Sequence, residues 1–214
     1  GEDALLPGDR RELERDMLSL IATWRTTPQR HRTLRTVFDH SWRMLSEQER
    51  DVYARLSVFR SGFRRDAAVE VADASLSALN RLIDTSSLRH SPDGRFETHP
   101  ALRQYTAEKL ATSPSAEDEA RTRHACYFTR WLCEMYENLK GGEPIAAIAA
   151  LQARAGDLHD AWRWMINNHE LAALPALLPG MILFHEMRGR PVEAQEIIGL
   201  LHATLDALGY VSGV

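Results

Sequence analysis

The chain has 214 residues, enough for one large domain or two small ones around a real core. Its apolar fraction of 44% and charged fraction of 26% are those of an ordinary folded protein. A formal net charge of −4 excludes a global positive field that would recruit nucleic acid or anionic membrane, and Lys109 and Lys140 are the lysines among otherwise arginine cations.

The opening Gly-Glu-Asp-Ala is acidic and unlike a signal peptide, and a start at Gly instead of Met reads as an excised segment. The longest apolar stretch, Leu171 to Phe184, is interrupted by Pro175, Pro179 and Gly180 and falls short of the roughly 20 residues a membrane span needs. It reads as two helices meeting at a turn, and no membrane partner is expected. On one helix the Cα atoms of Cys126 and Cys133 stand roughly 10 Å apart, too far for a disulfide. They share a face and are expected as buried free thiols, which suits a cytoplasmic location.

In chain order, an amphipathic helix is predicted over 9–24, with Leu13, Met17, Leu20, Ile21 and Trp24 at helical spacing and Thr26-Thr27-Pro28 ending it. A second runs from about Thr33 to Met44, with Leu34, Val37, Phe38, Trp42 and Leu45 as its apolar stripe. Ser46 and Glu49 form a capping-box pattern for the next, which presents Val52, Leu56 and Phe59 and stops at Ser61-Gly62. A short helix follows over about 65–72, then one over 76–84 with Leu76, Leu79, Leu82 and Ile83 inward. Ser87–His90 and Arg95–Thr98 read as short strands around Ser91-Pro92-Asp93-Gly94. Pro100 sits where a helix starts, and Thr112-Ser113-Pro114-Ser115 breaks that helix.

Short helices, a hairpin and a closing helix make a winged-helix pattern. Beyond Ala116 the signals are helical. Ala120, Tyr127, Phe128, Trp131, Met135 and Leu139 make a wide apolar face ending at Lys140-Gly141-Gly142. Gly156-Asp157-Leu158-His159-Asp160-Ala161 is echoed about 33 positions on by Gly189-Arg190-Pro191-Val192-Glu193-Ala194. That period, with Gly in the interhelix turn and a small residue where helices touch, suits tetratricopeptide repeats. Leu208 to Gly213 reads as a frayed end of such an array. The fold class is therefore mainly α: a winged-helix domain with one small β-hairpin, followed by TPR-like antiparallel helical repeats.

Little catalytic chemistry is visible. No Gly-x4-Gly-Lys-Ser/Thr occurs, His169-Glu170 and His185-Glu186 lack the second His of a zincin helix, and no Gly-x-Ser-x-Gly or Cys-x-x-Cys is present. The nine histidines show no paired ligand spacing, so neither a metal site nor a catalytic residue is expected, and the chain is not read as an enzyme. A winged helix could read DNA through residues 76–84, with Arg81, Arg89 and Arg95 as the cations. Asp84, Asp93 and Glu97 offset these charges, so DNA binding is the secondary reading. The tryptophans Trp24, Trp42, Trp131, Trp162 and Trp164 lie at helical spacing among leucines and read as core, except that Trp162 and Trp164 cannot both face inward.

The stretches Arg30–Trp42, Leu45–Arg50 and Leu56–Phe63 resemble the region after the nucleotide-binding core of bacterial STAND ATPases, the signal-transduction ATPases with numerous domains that include AfsR-like and LuxR/MalT-like transcriptional regulators. Phe96 to Leu110 is similar to the end of that family's winged helix, and His124–Phe128 and Leu158–Trp164 to the start of its helical repeats. The resemblance implies residues 1–33 as a helical linker from a missing ATPase core, 34–112 as the winged helix and 116–214 as a truncated repeat domain. It implies ATP or ADP with Mg for the parent protein and none in this segment. It also implies the core of the same chain and an unknown ligand or protein on the repeats as partners. His99 occupies the place of the family's nucleotide-state sensor, effective only with the core, although Thr98-His99-Pro100 stands where the family has a Met-His-Asp-like motif. Packing of the hairpin onto the helix is the other role open to His99.

Overall fold

A computed structural model describes residues 28–208 apart from 142 and 190. The helix predicted over 9–24 and nearly all of the Leu208–Gly213 end lie outside these residues. The first described helix, α1 (Pro28–Arg43), starts earlier than expected. Proline is suited to a first helical turn, and residue 33, after which the linker is expected to end, lies within α1.

Ser46 opens α2 (Glu47–Arg55) with the predicted capping box: its hydroxyl accepts the Glu49 N–H at 3.3 Å, and the Glu49 carboxylate accepts the Ser46 N–H at 2.8 Å. A 3₁₀ turn (Leu56–Val58) continues it to Phe59. Next come α3 (Arg65–Ala72) and α4 (Leu76–Asp84), the latter capped by Ser75. In α4, Leu79 and Leu82 are fully buried, but Leu76 is 48% exposed, contrary to the inward expectation. Leu76 stands in the first turn, ahead of the stripe through Leu79 and Leu82 that meets the core.

The hairpin is β1 (Arg89–His90) against β2 (Phe96–Glu97), antiparallel, with Arg89 opposite Glu97. Phe63 adds a bridge to the other edge of β2, exchanging two backbone hydrogen bonds with Phe96 at 2.8 and 3.0 Å. Helix, bridge, two helices, hairpin and the closing α5 (Pro100–Leu110) complete the winged-helix order. α1 covers α5 through Phe38, Trp42 and Tyr105, whose rings meet edge-on, and the Tyr105 hydroxyl donates to Asp39 at 2.6 Å. That bond, with Lys109 and Arg35 nearby, holds the Asp39 carboxyl below its ordinary range.

Beyond the Ala111–Ser113 turn, the long α6 (Pro114–Gly141) carries the rest: α7 (Pro144–Gln152), α8 (Ala155–Asn167), α9 (Leu174–Met187) and α10 (Pro191–Ala207). Phe128, Leu132, Leu151, Leu158, Trp162, Leu177 and Phe184 are buried in a core continuous with that of the winged helix. Of the tryptophan pair, Trp162 is buried, while Trp164 lies against α6 with its indole N–H 3.3 Å from the Thr122 hydroxyl.

The apolar stretch Leu171–Phe184 is not two helices: a 3₁₀ turn (Leu171–Ala173) leads into the single helix α9, with Pro179 inside it. Leu174, Leu177, Met181 and Phe184 form one buried stripe that requires continuous helix, and Pro179 faces solvent, where the carbonyl it leaves unpaired meets water. Cys126 and Cys133 are free, but Cys126 is exposed and Cys133 partly so. Burial on α6 runs through Ala120, His124, Phe128 and Leu132, and Cys126 lies across the helix from it. Gly156 is within α8, not in the turn before it, whereas Gly189 does occupy a turn. Among the described residues no helix is long and apolar enough to cross a membrane.

Gly180 is required by closeness. A Cβ there would stand 2.9 Å from Leu132 Cγ, and Leu132 is fully buried. Gly180→Ala gains about 1 kcal/mol of helix propensity but overpacks the α6–α9 contact by about 1–3 kcal/mol. The expected net result is a lower denaturant midpoint. A midpoint at or above that of the parent would show that α6 and α9 part without cost.

Candidate functional site

The loop between the 3₁₀ turn and α3, Arg60 to Phe63, joins the wing to the helical layer. Asp157, in the first turn of α8, is fully buried. Its carboxylate accepts the Arg60 N–H at 2.6 Å and the Ser61 N–H at 3.0 Å, and lies 3.3 Å from His124 Nε2 on α6. A carboxylate in a first helical turn also meets the positive end of the helix dipole. One turn on, Asp160 holds the Arg60 guanidinium at 2.5 Å, and Gly156 lets that side chain lie close, since a Cβ would be 3.2 Å from Arg60 Cδ.

The far side of the same loop belongs to the wing. Arg95 donates to the Ser61 carbonyl at 3.0 Å and pairs with Asp93 at 2.7 Å across the hairpin turn. Phe59 packs on Phe63 at 4.8 Å with the rings tilted by 35°, and meets His124 and Phe128 of α6 at 5.2 and 6.3 Å. Along α3, the Tyr127 hydroxyl donates to Asp66 at 2.9 Å, and Arg130 and Arg123 of α6 pair with Glu70 and Asp73. Burial and the Asp66 bond push the Tyr127 phenol up. Wing turn, loop and α8 are thus one hydrogen-bonded assembly over a shared aromatic core.

His99 caps α5: its Nδ1 accepts the Ala101 N–H at 3.2 Å. The ring is partly exposed, and burial, followed by the nearby Arg89, holds it below the ordinary histidine range, so it is neutral at pH 7 with its proton on Nε2. Pro100 has no N–H and the Ala101 N–H is already used, so Nε2–H is the donor His99 can offer outward. A cavity of about 250 Å³, lined by Phe59 to Phe63 with Glu97 and Thr98, lies next to it in the chain.

The arginines of the DNA reading do not form a free cluster. Arg95 is tied down, with its side chain 16% exposed. Arg89 projects from β1 opposite Glu97, and Arg81 is partly buried in the last turn of α4, whose exposed positions include Leu76, Ser77, Asn80 and Asp84. Among the described residues no group of three His, Cys, Asp or Glu side chains could hold a metal ion. Asp157, His124 and Arg60 escape a reading of the sequence as site residues. The nearest signal is the Gly156-Asp157 motif, whose aspartate is neither a cap nor part of a charged surface.

Comparison with known proteins gives a limited likeness. The chain is 30% identical over 151 residues to the protein named "Putative HTH-type transcriptional regulator Rv0890c" from Mycobacterium tuberculosis, and equally to "Putative HTH-type transcriptional regulator Mb0914c" from Mycobacterium bovis. Each match covers 65% of this chain and 17% of the relative, so the chain spans less than a fifth of their length. No family model and no solved structure matches.

Proposed function

We propose that this chain is a non-catalytic relay segment of a STAND-type bacterial transcriptional regulator. The winged helix docks on a nucleotide-binding core of the parent protein, and the tetratricopeptide-like helices receive a ligand or partner protein. The observation that carries this reading is the Asp157 clamp: one buried carboxylate holds the loop that also anchors the wing. A shift of α8 on ligand binding is then passed to β2 and on to His99 at the start of α5. Such coupling is a docking equilibrium biased by different contacts in the ADP and ATP states.

The test is ADP dissociation from the parent protein. Asp157→Asn and His99→Ala are each expected to speed it, with Asp157→Asn also weakening its response to the partner. An off-rate indifferent to both changes refutes the relay.

The names of the relatives favour one second reading, DNA binding by the winged helix. Titration with duplex DNA at low salt is expected to show only weak, sequence-independent binding. Saturable binding with a steep salt slope, lost in Arg81→Ala or Arg89→Ala, would put the DNA reading in its place.

A further inference from the structure

Away from the Asp157 clamp, α8, α9 and α10 bring together ionisable groups that neither it nor the wing uses. His159 on α8 and His185 on α9 approach Nε2 to Nε2 at 3.3 Å, and His185 Nδ1 stands 3.0 Å from Glu193 Oε2 on α10. His185 is fully buried and His159 half-buried. The rings are inclined by 29° with centroids 5.2 Å apart, too distant for a face-to-face stack. The nitrogens lie between the centroids, so the imidazoles meet edge to edge, as an N–H···N hydrogen bond requires.

One nitrogen of that pair must donate and the other accept. Were His185 the donor through Nε2, its Nδ1 would turn a lone pair on the Glu193 carboxylate. The consistent assignment has His159 Nε2–H donating to His185 Nε2, with His185 Nδ1–H directed at Glu193. The Nδ1 contact is close but poorly aligned for a hydrogen bond, so its attraction is chiefly that of a carboxylate for an N–H dipole.

We propose that His159, His185 and Glu193 form a proton-operated latch that seats α10 on α8 and α9 at neutral pH and lets it lift in mild acid. α10 depends on such a latch because its apolar anchorage is small. Ala194 and Ile197 are buried and Leu201 is partly buried against the same core, while Val192, Ile198 and Leu200 face outward. The charged groups around the pair are Asp160 and Arg163 on α8, Arg188 at the end of α9, and Glu193 on α10. The carboxylates favour an imidazolium, the arginines and the second ring oppose it, and burial outweighs them all, holding both rings below the ordinary value of 6.5.

The seated form therefore binds fewer protons than the lifted one. Seating is at full strength above 6.5 and weakens as the pH falls through that value toward the depressed ones. A second proton would set two buried cations 3.3 Å apart and abolish the N–H···N bond.

Hydrogen exchange on the whole chain tests the latch, through α10 amides at about pH 7.5 and 5.5 after correction for intrinsic rates. Protection is expected to fall by up to about tenfold for each histidine that charges, about 100-fold at most. In His159→Gln, a change at the half-buried ring, the fall should shrink to no more than about tenfold. Imidazole ¹⁵N spectra of the unaltered chain at neutral pH should show His185 as the Nδ1–H tautomer. PH-independent protection, an undiminished fall in the variant, or Nε2–H on both rings would each overturn the proposal.

Discussion

Asp157→Ala is expected to destabilise the chain by about 3–5 kcal/mol in denaturant unfolding. The carboxylate is fully buried and is the acceptor for the Arg60 and Ser61 amides, which lie in a partly buried loop with no strand or helix to take them over. A hydrogen bond to a charged group contributes about 1.5–3 kcal/mol, and each buried donor left unpaired costs about 1–3 kcal/mol. These figures overlap, so they do not simply add. Asp157→Asn keeps the carbonyl acceptor for one amide and should lose less, about 1–2 kcal/mol. Equal losses in the two variants would mean that one carbonyl acceptor retains nothing and that the loop amides require the carboxylate itself.

Gly62→Ala is expected to cost about 3 kcal/mol and to detach the wing. Gly62 has φ +75°, where an alanine pays about 1–2 kcal/mol. In addition, a Cβ would stand 2.9 Å from the Phe96 carbonyl oxygen, a backbone atom that cannot rotate away. The oxygen is the one that accepts the Phe63 N–H, so relief of the clash breaks the bridge between loop and β2. The change should lower the unfolding midpoint and remove the protection of the Phe63 and Phe96 amides together. Loss of stability with those amides still protected would place the strain elsewhere.

Much of the fold was legible because its signals are local. Ser46 with Glu49, Pro100 after His99, and the Ser91–Gly94 turn each act within a few residues, and the elements follow in the order read from them. The helix over 76–84 was read with its observed ends for the same reason. What failed was set by packing. Pro179 reads as a breaker, yet the stripe from Leu174 to Phe184 overrides it. Cys126 reads as buried from residue type, yet the side of α6 it occupies is decided by what α3 and α8 cover.

The candidate site was the least legible part. Arg60 and Asp157 are brought together by the return of α8 across the loop, and nothing near either residue in the chain announces the partner. His159 and His185 likewise meet only because α8 and α9 pack side by side. Arg95 reads as a possible phosphate contact from its charge, and its bonds to Ser61 and Asp93 are made by chain segments that its own sequence neighbourhood does not fully announce.

Phe59, on the winged-helix side, sits among His124 and Phe128 of α6. A gene fusion that exchanged residues up to the Ala111–Ser113 turn for another winged helix would leave those side chains facing a stranger's surface. A winged helix taken from another protein is consequently expected to fit here only if the first helices after the turn are exchanged with it.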